Sequence, residues 1–171
     1  MNYAIRQAGP DDAPLLSKLA RETFVETFGH LYPEADLNAF LQASYEVETL
    51  RGEIAKPRQQ WLIAEDEGGE PVGYAQAGPC ALPHADVSDA HGELKRIYIR
   101  RSAQGTGLGR DLMDRSLAYI AATFEGPVWI GVWSENHKAQ RLYERYGFSK
   151  AGSYEFAVGS VRDDEFILMR H

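Results

Sequence analysis

Apolar positions divide the chain into segments of two kinds. "YAIRQA" near the start alternates apolar and polar residues, the period-two pattern of a strand buried on one face. Asp11 and Asp12 with Pro14 then read as a helix start. Leu15, Leu16, Leu19, Ala20, Phe24 and Phe28 follow at a spacing near 3.6, so a helix is expected. "PEADLNAFLQASY" and "EVETLRGEIAK" predict two shorter helices. "QQWLIAED" and "EPVGYAQAGP", joined by "EGGE", predict a hairpin. Residues 79–92 have no periodicity and read as a long surface loop. The next strand, "ELKRIYIR", should place Leu94, Arg96 and Tyr98 on one face and Lys95, Ile97 and Ile99 on the other.

Leu108, Leu112, Ser116, Leu117, Ile120 and Phe124 trace one stripe of a four-turn helix. "PVWIGVW" is apolar throughout, as in a strand covered on both faces. A helix is expected from about Asn136 to Tyr146, stopped by Gly147, before two closing strands, "FSKAGSYEFAV" and "DDEFILMR". This order of elements, with no internal repeat and no linker, defines an α/β protein of mixed strand pairing, a single domain over residues 1–171.

Composition narrows the functions. A hydrophobic share of 44% supplies a core, and a net charge of −7 disfavours wholesale nucleic-acid binding, which needs a basic face. Cys80 is the only cysteine, so no internal disulfide forms and a reducing compartment is expected. The start has no apolar signal core, and no run approaches the ~18 apolar residues of a membrane span. The expectation is a cytoplasmic protein without membrane partners. None of the five histidines has metal-site spacing, so no metal is expected.

"RRSAQGTGLGRDLMDR", residues 100–115, sets three glycines at alternate positions ahead of a helix. The Walker pattern fails because Arg110 and Asp111 follow Gly109, and the dinucleotide pattern fails on the spacing Gly105, Gly107, Gly109. What remains is Gln104-x-x-Gly107-x-Gly109 between a strand and a helix, whose amides can converge on an anion. From residue 93 to 115, Lys95, Arg96, Arg100, Arg101, Arg110 and Arg115 outweigh Glu93, Asp111 and Asp114, a net +3 in an acidic protein. A bound phosphate explains this; glycines needed only for packing are the plainer alternative. In "GVWSENHKAQRLYERYGF", Asn136 and Tyr143 share a helix face two turns apart. As plain structure they would be a cap and a core tyrosine.

Taken together, the strand "ELKRIYI", the turn Gln104-Gly105-Thr106-Gly107-Leu108-Gly109, its helix, the strand "VWIGV" and Asn136…Ala139…Tyr143…Gly147-Phe148 resemble the GNAT superfamily of N-acetyltransferases. The resemblance implies a mixed, mostly antiparallel central sheet flanked by helices, with a splayed cofactor cleft between the strands near 93–99 and 128–132. It implies acetyl-CoA as cosubstrate and a primary amine as small-molecule acceptor, with direct attack in a ternary complex. Its pyrophosphate would sit on the amides of Gln104, Gly105, Thr106, Gly107, Leu108, Gly109 and Arg110. Its pantetheine arm would pair with the backbone of Ile97, Tyr98 and Ile99 and bond Asn136. An amide of the same strand would face the thioester oxygen, and Tyr143 would be the general acid.

For the base, the resemblance offers Glu93, against an ordinary strand-end charge. Glu22, Glu26 and His30 stand where family members line the acceptor cleft, though Glu22 and Glu26 also fit a solvated face. His84 and His91 are further candidates from the loop. "ETFVETF", "IGVWSENHKAQRLYERYGF" and the tail Gly152…Phe156…Gly159…Asp164…Met169 are similar to the bacterial PaiA-type enzymes, which acetylate spermidine and spermine. That points to a polyamine or other small cationic amine. A protein N-terminus, an amino acid, an antibiotic, or a non-catalytic CoA-binding role remain the alternatives. Homodimers are common in the superfamily.

Overall fold

A computed structural model describes residues 2–171. Seven strands form one sheet in the order β1-β2-β3-β4-β5-β7-β6: β1 Ala4–Gln7, β2 Gln60–Glu65, β3 Pro71–Pro79, β4 Gly92–Ile99, β5 Val128–Trp133, β6 Ser149–Val158 and β7 Val161–Arg170. Every neighbouring pair is antiparallel except β4 and β5. Helices α1 Ala13–Phe28, α2 Glu34–Tyr45 and α3 Val47–Ala55 precede the hairpin, and α4 Leu108–Thr123 and α5 His137–Arg145 follow β4 and β5. The mixed, mostly antiparallel architecture is thus the expected one.

Each face of the sheet has its own core. On one side Leu16, Leu19 and Phe24 of α1 pack with Tyr45, Leu50, Trp61, Ile63 and Tyr74. On the other, α4 buries Leu108, Leu112, Met113, Leu117 and Ile120 against Ala75, Leu94 and Ile130. The apolar stripe of α4 also includes Met113, fully buried, which the spacing argument omits.

Two local expectations change. The start of α1 is preceded by a 3-10 turn, Pro10–Asp12, and Asp12 does not cap α1. Its carboxylate accepts from the Gly9 amide at 2.9 Å and from Arg6 at 2.8 and 3.0 Å, which lowers its pKa, chiefly through the Arg6 hydrogen bonds. The second change is in β4. Against β3, Arg96 pairs with Gln76 and Leu94 with Ala77, so Lys95 is an extra residue, a β-bulge. The bulge resets the alternation. Leu94, Ile97 and Ile99 pack on the α4 side, while Tyr98 joins the α1–α3 core and Arg96 lies over Tyr45 and Trp61.

Leu112 is wholly buried at the centre of the α4 face. Leu112→Ala should lower unfolding free energy by about 2–5 kcal/mol, read from urea denaturation with an unchanged m-value.

Candidate active site

The bulge lies where the sheet opens. β4 and β5 pair only at Gly92–Val128, Glu93–Trp129 and Leu94–Ile130. Beyond Leu94, β4 keeps its bonds to β3 while β5 keeps its bonds to β7, so the edge of β4 from Lys95 to Ile99 has no strand beside it. A cavity of about 580 Å³ fills the gap. It runs from Gln104 and Gly109 at one end, past Ile97, Asn136 and Tyr143, to Phe156 and Glu165 at the other.

The glycine turn closes the first end. Gly105 and Gly107 have φ of +75° and +90°, left-handed values that suit glycine. A Cβ at either would meet nothing within 4 Å, so conformation rather than crowding selects glycine there. The first backbone bond of α4 runs from the Asp111 amide to the Gly107 carbonyl at 3.1 Å. The amides of Leu108, Gly109 and Arg110 precede it and lack an intrahelical acceptor. Thr106 Oγ1 donates to Ala103 O at 2.6 Å, and Gln104 Nε2 to Ile99 O at 3.1 Å. These bonds fix the turn against the end of β4. Free amides, a helix N-terminus and an open β edge in one line fit a phosphate-bearing chain lying extended along β4.

Asn136 and Tyr143 come together on the cleft side of α5. Asn136 Oδ1 caps the helix, accepting from the Ala139 amide at 3.2 Å, and the residue also lines the cavity. The C-terminus of α5 closes with Phe148 and Gly147 amides bonding the Tyr143 and Glu144 carbonyls, Gly147 having φ +90°. This fixes the last turn, and with it Tyr143. The tyrosine is 7% exposed. Burial pushes its pKa up to about 12, so at neutral pH it holds its proton.

The residues offered for the acceptor side separate. Glu93 is 7% exposed rather than a solvated strand end. Its Oε1 accepts from the Ala81 amide at 3.0 Å and lies 3.4 Å from Lys95 Nζ. Glu22 and Glu26 do not line the main cavity. Glu22 pairs with Arg100 at 2.5 Å and Glu26 accepts from the Arg101 amide at 2.9 Å, so α1 is tied to the end of β4. They border a second, shallow hollow with Arg21, Val25 and Arg100. His30 is exposed and off the main cavity.

His84 and His91 serve the 80–91 loop. Both rings pack on Trp129, at 4.9 and 6.1 Å between centroids, and the Trp129 Nε1–H donates to His91 Nδ1 at 3.1 Å. Cys80 Sγ has its pKa pushed up to about 12, mainly by burial, which leaves it an unreactive thiol. Among the described residues no group of three or more His, Cys, Asp or Glu could hold a metal ion. No helix among them is long and apolar enough to cross a membrane.

Sequence reasoning missed the far end of the cavity. Glu165 of β7, opposite Trp133 on β5 and Tyr154 on β6, lines it. Burial, then repulsion from Asp163, raises its pKa to about 7. Tyr154 is raised too, by burial and by Glu165 and Glu93. Gly131 supplies a floor without a side chain, since a Cβ there would stand 3.1 Å from both Leu82 and the Tyr154 hydroxyl. Phe28 of α1 roofs the splay, edge-on to Tyr98 and to Trp133. The signal available was the alternation in "VRDDEFILMR", which puts Asp163 and Glu165 on the face of Ile167 and Met169.

A splayed parallel pair, a glycine turn at a helix start and a buried phenol thus share one cleft. Residues 16–148 match the acetyltransferase (GNAT) family, and the chain belongs to it. It is an acetyl-CoA-dependent N-acetyltransferase. An uncharacterised N-acetyltransferase of Lactobacillus delbrueckii is 30% identical over 166 residues, 97% of this chain and 95% of the relative. A spermine/spermidine N(1)-acetyltransferase of Bacillus subtilis is 30% identical over 91 residues, 52% of this chain and 59% of the relative. Among solved structures, the PaiA N-acetyltransferase of Thermoplasma acidophilum in complex with coenzyme A superposes with a TM-score of 0.78 at 20% identity, covering 99% of each chain.

The Trp129 indole is wholly buried and His91 is its hydrogen-bond partner. His91→Phe leaves that donor unpaired and should cost about 1–3 kcal/mol in denaturant unfolding.

Proposed function

We propose that the acceptor is a small cationic amine, with a polyamine as the leading class. The observation that carries this is the acidic, aromatic far end of the cleft, where Glu93 and Glu165 both line the cavity and both act on Tyr154, whose hydroxyl lies over Gly131. Aromatic rings and carboxylates together favour an alkylammonium. The partial likeness to the Bacillus subtilis enzyme points the same way.

In this reading the amides of Gln104, Gly105, Thr106, Gly107, Leu108, Gly109 and Arg110 hold the pyrophosphate of acetyl-CoA. The open edge of β4 at Ile97, Tyr98 and Ile99 holds the arm, and an amide of that edge polarises the thioester carbonyl. Asn136 borders the arm with its amide group. Bound acetyl-CoA supplies an activated acetyl group. The neutral amine attacks its carbonyl carbon, and the Tyr143 hydroxyl protonates the departing sulfur. A phenol that burial keeps protonated suits that role.

A second acceptor class has its own support. Arg96 has no carboxylate within ion-pair distance among the described residues and lies against Tyr45 and Trp61 while lining the cavity. It would receive the carboxylate of an amino acid or the backbone of a peptide N-terminus. A panel of spermidine, spermine, amino acids and peptide N-termini, followed by release of CoA thiol, separates the two; spermidine and spermine at background rates would end the polyamine reading.

Tyr143→Phe should keep coenzyme affinity, read by calorimetry, and lower kcat by about 10²–10⁴-fold; an unchanged kcat would remove Tyr143 from the chemistry. Gly107→Val must hold a branched residue at φ +90°. CoA should then bind at least about tenfold more weakly, a loss of roughly 1.4 kcal/mol.

A further inference from the structure

A buried carboxylate oxygen without a partner is costly, and proteins keep few of them. Glu165 carries one: its Oε2 is buried and has no hydrogen-bond partner among the described residues. The residue borders the same cavity as Ile97 and Tyr143. Glu93, the other carboxylate there, is already committed to the Ala81 amide and to Lys95.

The surroundings of Glu165 are acidic or phenolic. Asp163 stands two residues away on β7 and accepts from the Tyr32 hydroxyl at 2.5 Å. Tyr154 approaches from β6 and Tyr98 from β4, and Glu93 of β4 lies within the field of Tyr154. Of the cations bordering the cavity, Lys95 and Arg96 of β4 and Lys138 and Arg145 of α5, none makes an ion pair with Glu165; Lys95 is held by Glu93 and Arg96 lies over aromatic rings. A site that withholds every protein cation from one buried carboxylate is built for a cation from outside.

We propose that Glu165 receives the acceptor's ammonium group and takes the proton that the nitrogen must lose before it attacks. This rests on the reading of the acceptor as an amine. The ammonium passes one proton to the Glu165 carboxylate, which leaves a neutral nitrogen and a carboxylic acid. The nitrogen lone pair forms the C–N bond to the acetyl carbon and the C–S bond breaks. Tyr143 gives its hydroxyl proton to the sulfur and recovers one from the new amide nitrogen, and Glu165 returns its own to water. A carboxylate whose pKa is raised to about 7 accepts protons far better near neutrality than an ordinary one. Because the base must be ionised, activity grows as pH rises through that value.

The experiment measures kcat and kcat/KM from about pH 6 to about 10.5, bracketing the carboxyl and the amine. It uses wild type, Glu165→Gln and Glu93→Gln, on whichever panel amine the wild type acetylates fastest, with CoA calorimetry as the control on folding. Wild-type kcat/KM is expected to climb through an inflection near pH 7. E165Q should lose that inflection, fall about 10²–10⁴-fold in kcat near neutrality, and recover as the amine itself becomes neutral near pH 10. E93Q should keep the inflection. An E165Q protein that keeps the inflection, or that changes only KM, would overturn the assignment. If E165Q fails to bind CoA, Glu165→Asp decides: a displaced inflection with lower kcat supports the role, and an unmoved one overturns it. A wild type inactive on every amine would sink the amine reading itself, and this assignment with it.

Discussion

The molecule depends on the parting of two strands that begin as a parallel pair. Three residue pairs hold β4 to β5. The extra residue Lys95 then turns β4 away, and β5 follows β7 instead. A sheet interior normally has no unused backbone edge, because buried peptide groups must be paired. Here the edge is left open over a cavity, and the glycine turn stands at its end. The open edge can pair only with a ligand that behaves like a strand, and the turn beyond it favours negative charge. One bulge therefore opens the edge and aligns it with the glycine turn.

The two ends of the cleft differ in how they are held. At the glycine turn the working groups are main-chain amides, positioned by backbone geometry and by the clasp of Glu22 and Glu26 on Arg100 and Arg101. At the far end they are side chains from β4, β6 and β7 that line one cavity although they lie up to 72 positions apart in sequence, as Glu93 and Glu165 do. Burial governs the titration of each phenol and of Glu165, and neighbouring carboxylates push Tyr154 and Glu165 further in the same direction. The first end suits a cosubstrate common to a family. The second is free to differ between relatives.

That division also decides what could be read from the chain. The element order, the helix stripes, the glycine turn and the Asn136–Tyr143 face are local patterns, and each stands where spacing put it. The bulge at Lys95 is invisible to simple alternation because it is defined by the partner strand, so Leu94 was grouped with Arg96 and Tyr98 on the wrong face. Glu22 and Glu26 look like an acidic helix face in sequence; only the proximity of Arg100 and Arg101 turns them into a clasp. Glu165 needed two facts together, the inward face of β7 and the absence of any partner for its oxygen, and sequence offers only the first.

The 80–91 loop is fastened by ring contacts rather than by a ladder of strand bonds. His84 and His91 grip Trp129 from either end of the segment, and Leu82 is thereby set over Gly131, where it narrows the passage. Positions such as Pro83, Ala85, Asp86 and Asp89 face outward. The width of the cavity over Gly131 is then set in part from a loop outside the sheet, so the cavity can change shape there while the sheet keeps its register.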